Sequence, residues 1–301
     1  MRINVDAGHG SNTAGKRTPP MQADIDINKD GKTDLKKGEQ YREHYANVEI
    51  ASLLVKELQR CGFDTMQTGF NDNDPADDTD TTLCKRQAVI AKANCDYSIS
   101  IHFNAYGDGQ SFNNAQGVGI YIHDKYAGQS QKMADIIIKH LSGGSKQINR
   151  GVSKQSFAMC NCNAMDTKAA ILIELAFMTN EHEATTMMAN EAYWIESVQE
   201  ICKGVCEYTG VKYVAEFYIP DKTITPESDP EDIIWAQRRY NVVLPNIPGL
   251  IPLKTDGIYG PDTRLATLLY WRQLGLGNGM KDDGTRIGKA TKEALAKGRV
   301  K

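Results

Sequence analysis

The sequence of 301 residues predicts an α/β fold, a twisted and mostly parallel sheet covered by helices, with a small helical domain at its C-terminal end. Two observations support this prediction. Through the first two-thirds of the chain, hydrophobic strand-like runs alternate with segments whose apolar residues recur at helical spacing, which is typical of parallel sheets. After residue 213 the alternation stops, and a proline-rich segment leads into a shorter helical region.

Five strands and four helices are expected in the first part of the chain. The first strand contains Ile3 and Val5, and the others are expected at residues 63–67, 97–101, 119–122 and 170–173. The helices are expected around residues 50–58, 86–93, 133–141 and 195–205. The strand at 170–173 is apolar on both faces, which is typical of a central strand that helices cover on both sides.

The sequence predicts three parts: residues 1–213, a linker at 214–230 that contains three prolines, and a helical domain at 231–301. Residues 231–301 carry 12 Lys and Arg against 7 Asp and Glu, whereas residues 1–230 carry 23 against 31. A basic domain attached to an acidic one predicts an anionic partner for the C-terminal domain.

The sequence gives no indication of a membrane or secretory segment. No apolar run is long enough to span a bilayer, and strand-like residues begin already at Arg2, so we expect neither membrane insertion nor a signal peptide. Seven cysteines, an odd number without the spacing of a disulfide framework, favour a reducing compartment. We therefore expect synthesis in the cytoplasm, and no nucleic-acid partner.

Candidate reactive residues lie where strands end and where a helix begins. His9, His102 and Glu174 each lie at or just past the predicted end of a strand, where reactive groups of parallel sheets gather. Glu43 and Asn47 are four residues apart and share one face of a helix near its start. Two imidazoles and a carboxylate form an open zinc site, and a further carboxylate can act as its base. This combination indicates metal-assisted hydrolysis.

Other residues compete for, or could support, these roles. His44 and Glu49 are alternative ligands to Glu43. His44 points about 100° away from Glu43 around the helix, so only one of the two can face the site. Asp6 precedes His9 and could orient its imidazole ring.

Each candidate also has a purely structural alternative. His9 could be a loop histidine, His102 a core histidine, and Glu174 one partner of an ion pair. Because Glu174 follows an apolar strand, burial should raise its pKa and a nearby divalent cation should lower it. A base that acts near neutral pH needs that balance.

The ordered set of short segments resembles the zinc-dependent N-acetylmuramoyl-L-alanine amidases of bacterial cell walls and phage endolysins, the Amidase_3 type. The resemblance covers roughly residues 1–210 and rests on the segments Asp6-Ala7-Gly8-His9-Gly10, Glu43-His44-Tyr45-Ala46-Asn47, Ser100-Ile101-His102-Phe103-Asn104-Ala105 and Ile173-Glu174-Leu175, with Arg86 and Thr179-Asn180 in the family's order. It implies that His9, Glu43 and His102 hold one zinc ion and that Glu174 is catalytic. An insertion of about 25 residues separates Glu43 from His9.

The resemblance implies a cell-wall hydrolase that cleaves the amide bond between N-acetylmuramic acid and L-alanine of peptidoglycan with zinc-activated water. A phage-type endolysin, released when the membrane is breached, and an autolysin both fit. Two alternatives stay open: a zinc peptidase that cuts within the stem peptide, and a wall-binding protein without catalysis.

The C-terminal region resembles the small three-helix peptidoglycan-binding module that often accompanies such enzymes. The segment Asp256-Gly257-Ile258-Tyr259-Gly260-Pro261-Asp262-Thr263 carries the resemblance and is echoed at residues 283–291. Where the module commonly has a Phe-Gln pair, this chain has Tyr270-Trp271-Arg272-Gln273. The resemblance implies that the basic tail holds the enzyme on the anionic cell wall.

Two further metal sites are weaker possibilities. Asp26, Asn28, Asp30 and Asp34 match the first positions of a calcium loop, but the twelfth position, which should be acidic, is Lys37. Four thiolates from the pairs Cys160/Cys162 and Cys202/Cys206 could form a structural zinc site, although buried free thiols are the expected state.

Overall fold

A computed structural model describes residues 1–72, 74–215, 219–220, 222–243, 252–275 and 283–296. The chain divides into two compact units. The first comprises Met1–Ile27 and Asp34–Glu216, and the second Asn28–Thr33 and Phe217–Lys301. Across the described ranges, every helix is too short or too polar to cross a bilayer.

Six strands form the sheet of the first unit: β1 Arg2–Ala7, β2 Asp64–Thr68, β3 Tyr97–Asn104, β4 Val118–Ile122, β5 Asn149–Lys154 and β6 Ala169–Phe177. Their order across the sheet is β2-β1-β3-β6-β4-β5. Neighbouring strands run parallel except β4 and β6, which are antiparallel. The predicted α/β fold with a mostly parallel sheet is confirmed.

Helices cover both faces of this sheet: α1 Glu43–Arg60, α2 Leu83–Lys92, α3 Ser130–Gly144, α4 Cys162–Met165, α5 Glu181–Glu183 and α6 Glu191–Thr209. The main core lies between one face of the sheet and helices α1, α3 and α6, and includes Ile99, Leu54 and Val205. A smaller core on the other face contains Ile90 of α2 and Met165 of α4. All four predicted helices are therefore present.

The structure corrects the sequence prediction for two strand ends and adds one strand. β3 continues to Asn104 and β6 to Phe177, so His102 and Glu174 lie within strands and not at or past their ends. The pairing of β3 with β6 extends past these residues, with a register shift between His102 and Asn104. The additional strand β5 lies at the sheet edge and has only one apolar side chain, Val152, so its sequence lacks the strand pattern.

The second unit contains three described helices, α7 Pro230–Val243, α8 Pro261–Leu274 and α9 Lys289–Ala296. Its core includes Tyr240, Tyr270 and Leu295. Ile224, within the predicted linker, is fully buried there and forms a β-bridge with Ile287, so this part of the linker packs into the second unit. Parts of the predicted C-terminal domain, residues 244–251, 276–282 and 297–301, lie outside the described residues.

Candidate metal centre and active site

Three of the predicted site residues meet in space. His9, Glu43 and His102 each offer one donor atom, and these atoms all lie within 4.8 Å of one another. Glu43 Oε2 is 3.2 Å from His9 Nε2, and Glu43 Oε1 is 3.0 Å from His102 Nδ1. The two imidazole rings are nearly perpendicular, with their centroids 4.8 Å apart. Two imidazoles and one carboxylate thus converge on one small volume.

Local backbone structure explains how these side chains reach one another. His9 follows β1 and adopts a left-handed conformation with φ of 67°, which turns the chain sharply after the strand. Gly8 allows close packing, because a Cβ at this position would lie 2.2 Å from the His102 ring. Glu43 is the first residue of α1, and its backbone N–H donates to Lys16 O at 3.0 Å.

The Glu43 carboxylate is buried, with only 1% of the residue exposed. Its Oε1 accepts a hydrogen bond from the Phe103 backbone N–H at 3.1 Å. Burial acts to raise the pKa of Glu43, but the hydrogen bond with His102 and the proximity of the His9 and His102 rings outweigh it and hold the pKa below its usual range. Oε2 is buried without a hydrogen-bond partner. The carboxylate is therefore ionised and retains an acceptor for a cation.

Glu174 lies beside this cluster, since its Cα is paired with that of His102 across β3 and β6. Its Oε2 is buried without a hydrogen-bond partner. Burial raises the pKa of Glu174 well above its usual value, the charge of Glu43 raises it further, and the charge of Lys16 opposes both. Glu174, His9, His102 and Lys16 line a cleft of about 470 Å³. The cleft therefore holds a carboxylate that takes up a proton readily.

The alternative ligands near Glu43 lie elsewhere. His44 Nδ1 is 2.8 Å from Gly8 O, and His44 Nε2 is 3.2 Å from Asp78 Oδ2. Asn47, on the same helix face as Glu43, donates from Nδ2 to Gly8 O at 3.2 Å. His44 and Asn47 thus hold the carbonyl of the residue before His9, and Glu43 is the residue of α1 that faces the cluster.

Glu49 is also outside the cluster of donor atoms. Burial raises the pKa of Glu49, the charge of Glu191 raises it further, and the charge of Lys56 lowers it. The charged groups that act on Glu49 therefore belong to α1 and α6, and the two imidazoles are not among them.

The prediction that Asp6 orients the His9 ring is wrong. Asp6 Oδ2 accepts from Ser100 Oγ at 2.6 Å, while Oδ1 accepts from Thr68 Oγ1 at 2.8 Å and from an Arg86 Nη atom at 3.0 Å. Both oxygens of this buried carboxylate are thus occupied by groups other than the His9 ring. Its role is to hold Arg86, which in turn donates to the backbone carbonyls of Ala7 and His9.

Sequence reasoning missed the contribution of Lys16 to the cleft. This residue lies in the insertion between His9 and Glu43, its carbonyl accepts from the first N–H of α1, and its side chain lines the cleft with Glu174. A single lysine in a loop with several glycines and prolines has no periodic pattern. Only the folded chain identifies it.

The two weaker metal predictions are not supported. Asp34 Oδ2 accepts from the Ile27 N–H at 2.7 Å, and Asp30 Oδ1 accepts from the Lys32 N–H at 2.8 Å, so each carboxylate stabilises the backbone of its own loop. Among the described residues, Asp26, Asp30 and Asp34 do not form a cluster of donor atoms. The two cysteine pairs are also separate: Cys162 lies in the smaller core, whereas Cys202 and Cys206 lie in the main core.

Comparison with known structures identifies the fold. An N-acetylmuramoyl-L-alanine amidase from Clostridium difficile 630 is similar at 24% identity and a TM-score of 0.54, over 70% of this chain and 98% of that one. The catalytic domain of CwlV, an amidase from Bacillus (Paenibacillus) polymyxa var. colistinus, has 21% identity and a TM-score of 0.52, over 70% and 99%. AmiC2 of Nostoc punctiforme has 20% identity and a TM-score of 0.53, over 70% and 97%.

Sequence comparison identifies the family. No significant match was found among curated proteins. The family described as N-acetylmuramoyl-L-alanine amidase, Amidase_3, matches residues 3–207, which is more than half of the chain and contains all four candidate site residues. The chain therefore belongs to the Amidase_3 family of N-acetylmuramoyl-L-alanine amidases.

Proposed function

We propose that this chain hydrolyses peptidoglycan with a zinc ion held by His9, Glu43 and His102, and with Glu174 as the general base. Its family membership makes it an amidase that acts on the bond between N-acetylmuramic acid and L-alanine. The proposal concerns the metal and the roles of the residues. It rests on one observation, that the donor atoms of three sequence-distant residues meet beside a fourth, buried carboxylate.

The donor set fits zinc. Two imidazoles and one carboxylate leave a coordination position open, which is the usual composition of a catalytic zinc site. Glu43 Oε2 is buried without a hydrogen-bond partner, an arrangement that is unfavourable unless a cation lies beside it. A bound zinc ion would supply a Lewis acid that polarises the amide carbonyl and acidifies water.

Glu174 fits the role of the proton carrier. Its carboxylate would accept a proton from the water that attacks the amide carbonyl, and would deliver that proton to the nitrogen of L-alanine as the amine leaves. Burial and the charge of Glu43 raise the pKa of Glu174, so that its carboxylate is basic enough for this task. The ammonium of Lys16 opposes this effect and favours the ionised state that can act as a base.

The test is mass spectrometry of purified peptidoglycan after digestion with the full chain, with and without a zinc chelator. Free stem peptides that begin at L-alanine, lost on chelation and restored by zinc, would support the proposal. Cuts within the stem peptide would indicate a peptidase. No release from several wall types would indicate a wall-binding protein without catalysis.

A pair of variants separates the role of Glu174 from that of the metal. Glu174→Gln should retain zinc and lose most of the activity, by roughly 100-fold or more. Glu196→Gln is the matched control, because burial also raises the pKa of Glu196, on α6 away from the cleft. A Glu174→Gln variant with full activity would contradict the assignment.

We also propose that the second unit binds the cell wall. Residues 231–301 carry five more basic than acidic residues, and an anionic polymer would attract them. The fraction of the full-length Glu174→Gln protein that sediments with purified walls should decrease as the salt concentration rises. It should also decrease when Arg272→Gln and Arg286→Gln are introduced into the same chain. Binding that is unaffected by salt and by the two arginine substitutions would contradict this proposal. Action as a phage-type endolysin stays a prediction from sequence.

A further inference from the structure

Three cysteines from distant parts of the chain meet at the junction of α1 and α6. Cys61 directly follows α1, and Cys202 and Cys206 lie one turn apart on α6, so the side chains of these two share a helix face. The sulfur atoms of the three residues all lie within 4.8 Å of one another, and those of Cys61 and Cys202 are 3.6 Å apart. We propose that this cluster binds a thiophilic metal ion of the zinc or copper(I) class, separate from the His9 site.

The spacing of the sulfur atoms fits such an ion. With metal–sulfur bonds of about 2.3 Å, two thiolates around a tetrahedral zinc ion lie about 3.8 Å apart. The observed 3.6 Å between Cys61 and Cys202 is already close to this separation. All three residues are less than 10% exposed, so the ion would be shielded from competing water ligands. Thiolates select zinc and copper(I) over harder cations.

The surroundings of the cluster supply a hydrogen bond to one of its sulfur atoms. The Val214 backbone N–H donates to Cys61 Sγ at 3.3 Å, and second-sphere donors of this kind orient metal ligands. Three thiolates and a divalent ion leave one negative charge. Arg60 lies beside the site, with its Nε donating to Val214 O at 3.0 Å, but its guanidinium is already paired with Glu57. Burial, the neighbouring thiols and the charge of Glu57 raise the pKa of Cys202 and Cys206, so the bound ion itself must displace the thiol protons.

Three ligands are assigned, because the adjacent carboxylate is engaged elsewhere. Glu57 pairs with Arg60, and Tyr213 donates to Glu57 Oε2 at 3.4 Å. A buried three-thiolate site suits copper(I), which accepts three ligands, better than zinc, which prefers four. The bound ion would tie the end of α1 to α6 and to the segment at Tyr213 and Val214.

Cadmium is a suitable probe, because thiolate-to-cadmium charge transfer absorbs in the ultraviolet and imidazole or carboxylate ligands give no such band. When cadmium is added to the reduced, metal-free, full-length protein, this band should appear. Its intensity should saturate at one cadmium ion per thiol cluster. Cys202→Ala should abolish the band or weaken cadmium binding by about tenfold or more. His102→Ala should retain the band, so the result is independent of the zinc site proposed for catalysis.

Cys95→Ala is the matched control, because Cys95 is buried but lies in the smaller core away from the cluster. If Cys202→Ala does not fold by circular dichroism, Cys206→Ala takes its place. A wild-type protein without the band, or a band that persists in both cluster variants, would overturn the proposal. A disulfide bond of Cys61 that resists reduction in the purified protein would also overturn the proposal, because Cys61 would then have no thiol to bind the ion.

Discussion

His102 and Glu174 are register partners on the adjacent parallel strands β3 and β6. Partners in register point to the same face of a sheet, so a proposed metal ligand and the proposed base lie side by side on neighbouring strands. The strands fix their separation, and both side chains line the same cleft. Residues 72 positions apart in sequence thus form one reactive pair on a rigid part of the fold.

Removal of the negative charge of Glu43 should weaken metal binding strongly. Glu43→Gln keeps the shape of the side chain but removes the charge that lies between His9 and His102. Zinc affinity, measured by competition with a chelating dye, should fall by more than the roughly 10- to 100-fold typical of an outer-sphere change. Glu49→Gln, on the same helix but outside the cluster, should retain zinc. Equal affinities in the two variants would refute the assignment of Glu43.

A methyl group at Gly8 should disturb the site without disturbing the fold. In Gly8→Ala the new Cβ would lie 2.2 Å from the His102 ring, which must move away. We expect zinc affinity to fall by about tenfold or more. Gly143→Ala, where a Cβ meets nothing within 4 Å, is the control. Unchanged zinc affinity in Gly8→Ala would show that zinc binding does not require His102 in its present position.

Removal of one partner of the buried pair Asp6–Arg86 should destabilise the fold strongly. Arg86→Met leaves the Asp6 carboxylate, which is fully buried, without its cationic partner, and loss of one member of such a pair costs about 3–5 kcal/mol. Urea unfolding measures the loss. The double variant Asp6→Asn/Arg86→Met should lose less than the two single variants added together.

The control for the Asp6–Arg86 pair is an ion pair on the exposed surface. Arg2 pairs with Asp64 at 2.7 Å, and both side chains are about half exposed, so Arg2→Met should cost no more than about 1 kcal/mol. A similar loss in Arg2→Met and Arg86→Met would mean that burial of the Asp6 pair adds nothing.

Asp96 should make stability depend on acid pH. The hydrogen bond from Lys168 is the main cause that lowers the pKa of Asp96, and the Arg2 backbone N–H lowers it further. A carboxyl group with a lowered folded-state pKa stabilises the fold above its unfolded pKa of about 3.9 and loses that effect as pH falls through the folded value.

Asp96→Asn should therefore lower the free energy of unfolding at pH 7 by up to about 1 kcal/mol, with a smaller difference at pH 3. Urea unfolding at both pH values tests this. Asp135→Asn, an exposed carboxylate on α3, serves as the control. A difference for Asp96→Asn that is the same at both pH values would contradict the ion-pair explanation.

Much of the fold follows from local patterns in the sequence. The alternation of apolar strands with helical periodicity predicted five of the six strands and four of the helices that cover them, α1, α2, α3 and α6. β5 was not predicted, because an edge strand with one apolar residue buries too little to show an alternating apolar pattern. The ends of β3 and β6 were placed too early, because polar residues such as His102 and Glu174 interrupt an apolar run without interrupting backbone pairing.

The candidate site was predicted in part. Positions at the carboxyl ends of strands and the family's ordered segments selected His9, Glu43, His102 and Glu174. The choice between Glu43 and His44 needed the orientation of α1, which directs His44 to Gly8 O and Asp78. Asp6 was assigned to the wrong partner, because sequence proximity to His9 does not reveal that β1 turns its side chain toward Ser100 and Arg86.

Side-chain periodicity and short motifs are local properties, and they were enough to identify most strands and helices, the family and the residues with reactive side chains. Which distant side chains meet could be seen only in the folded chain: Glu43 with two imidazoles, Asp6 with Arg86, and Cys61 with Cys202 and Cys206. Such meetings depend on how strands pair and how helices cross. These are set by burial of the whole core and not by any one segment.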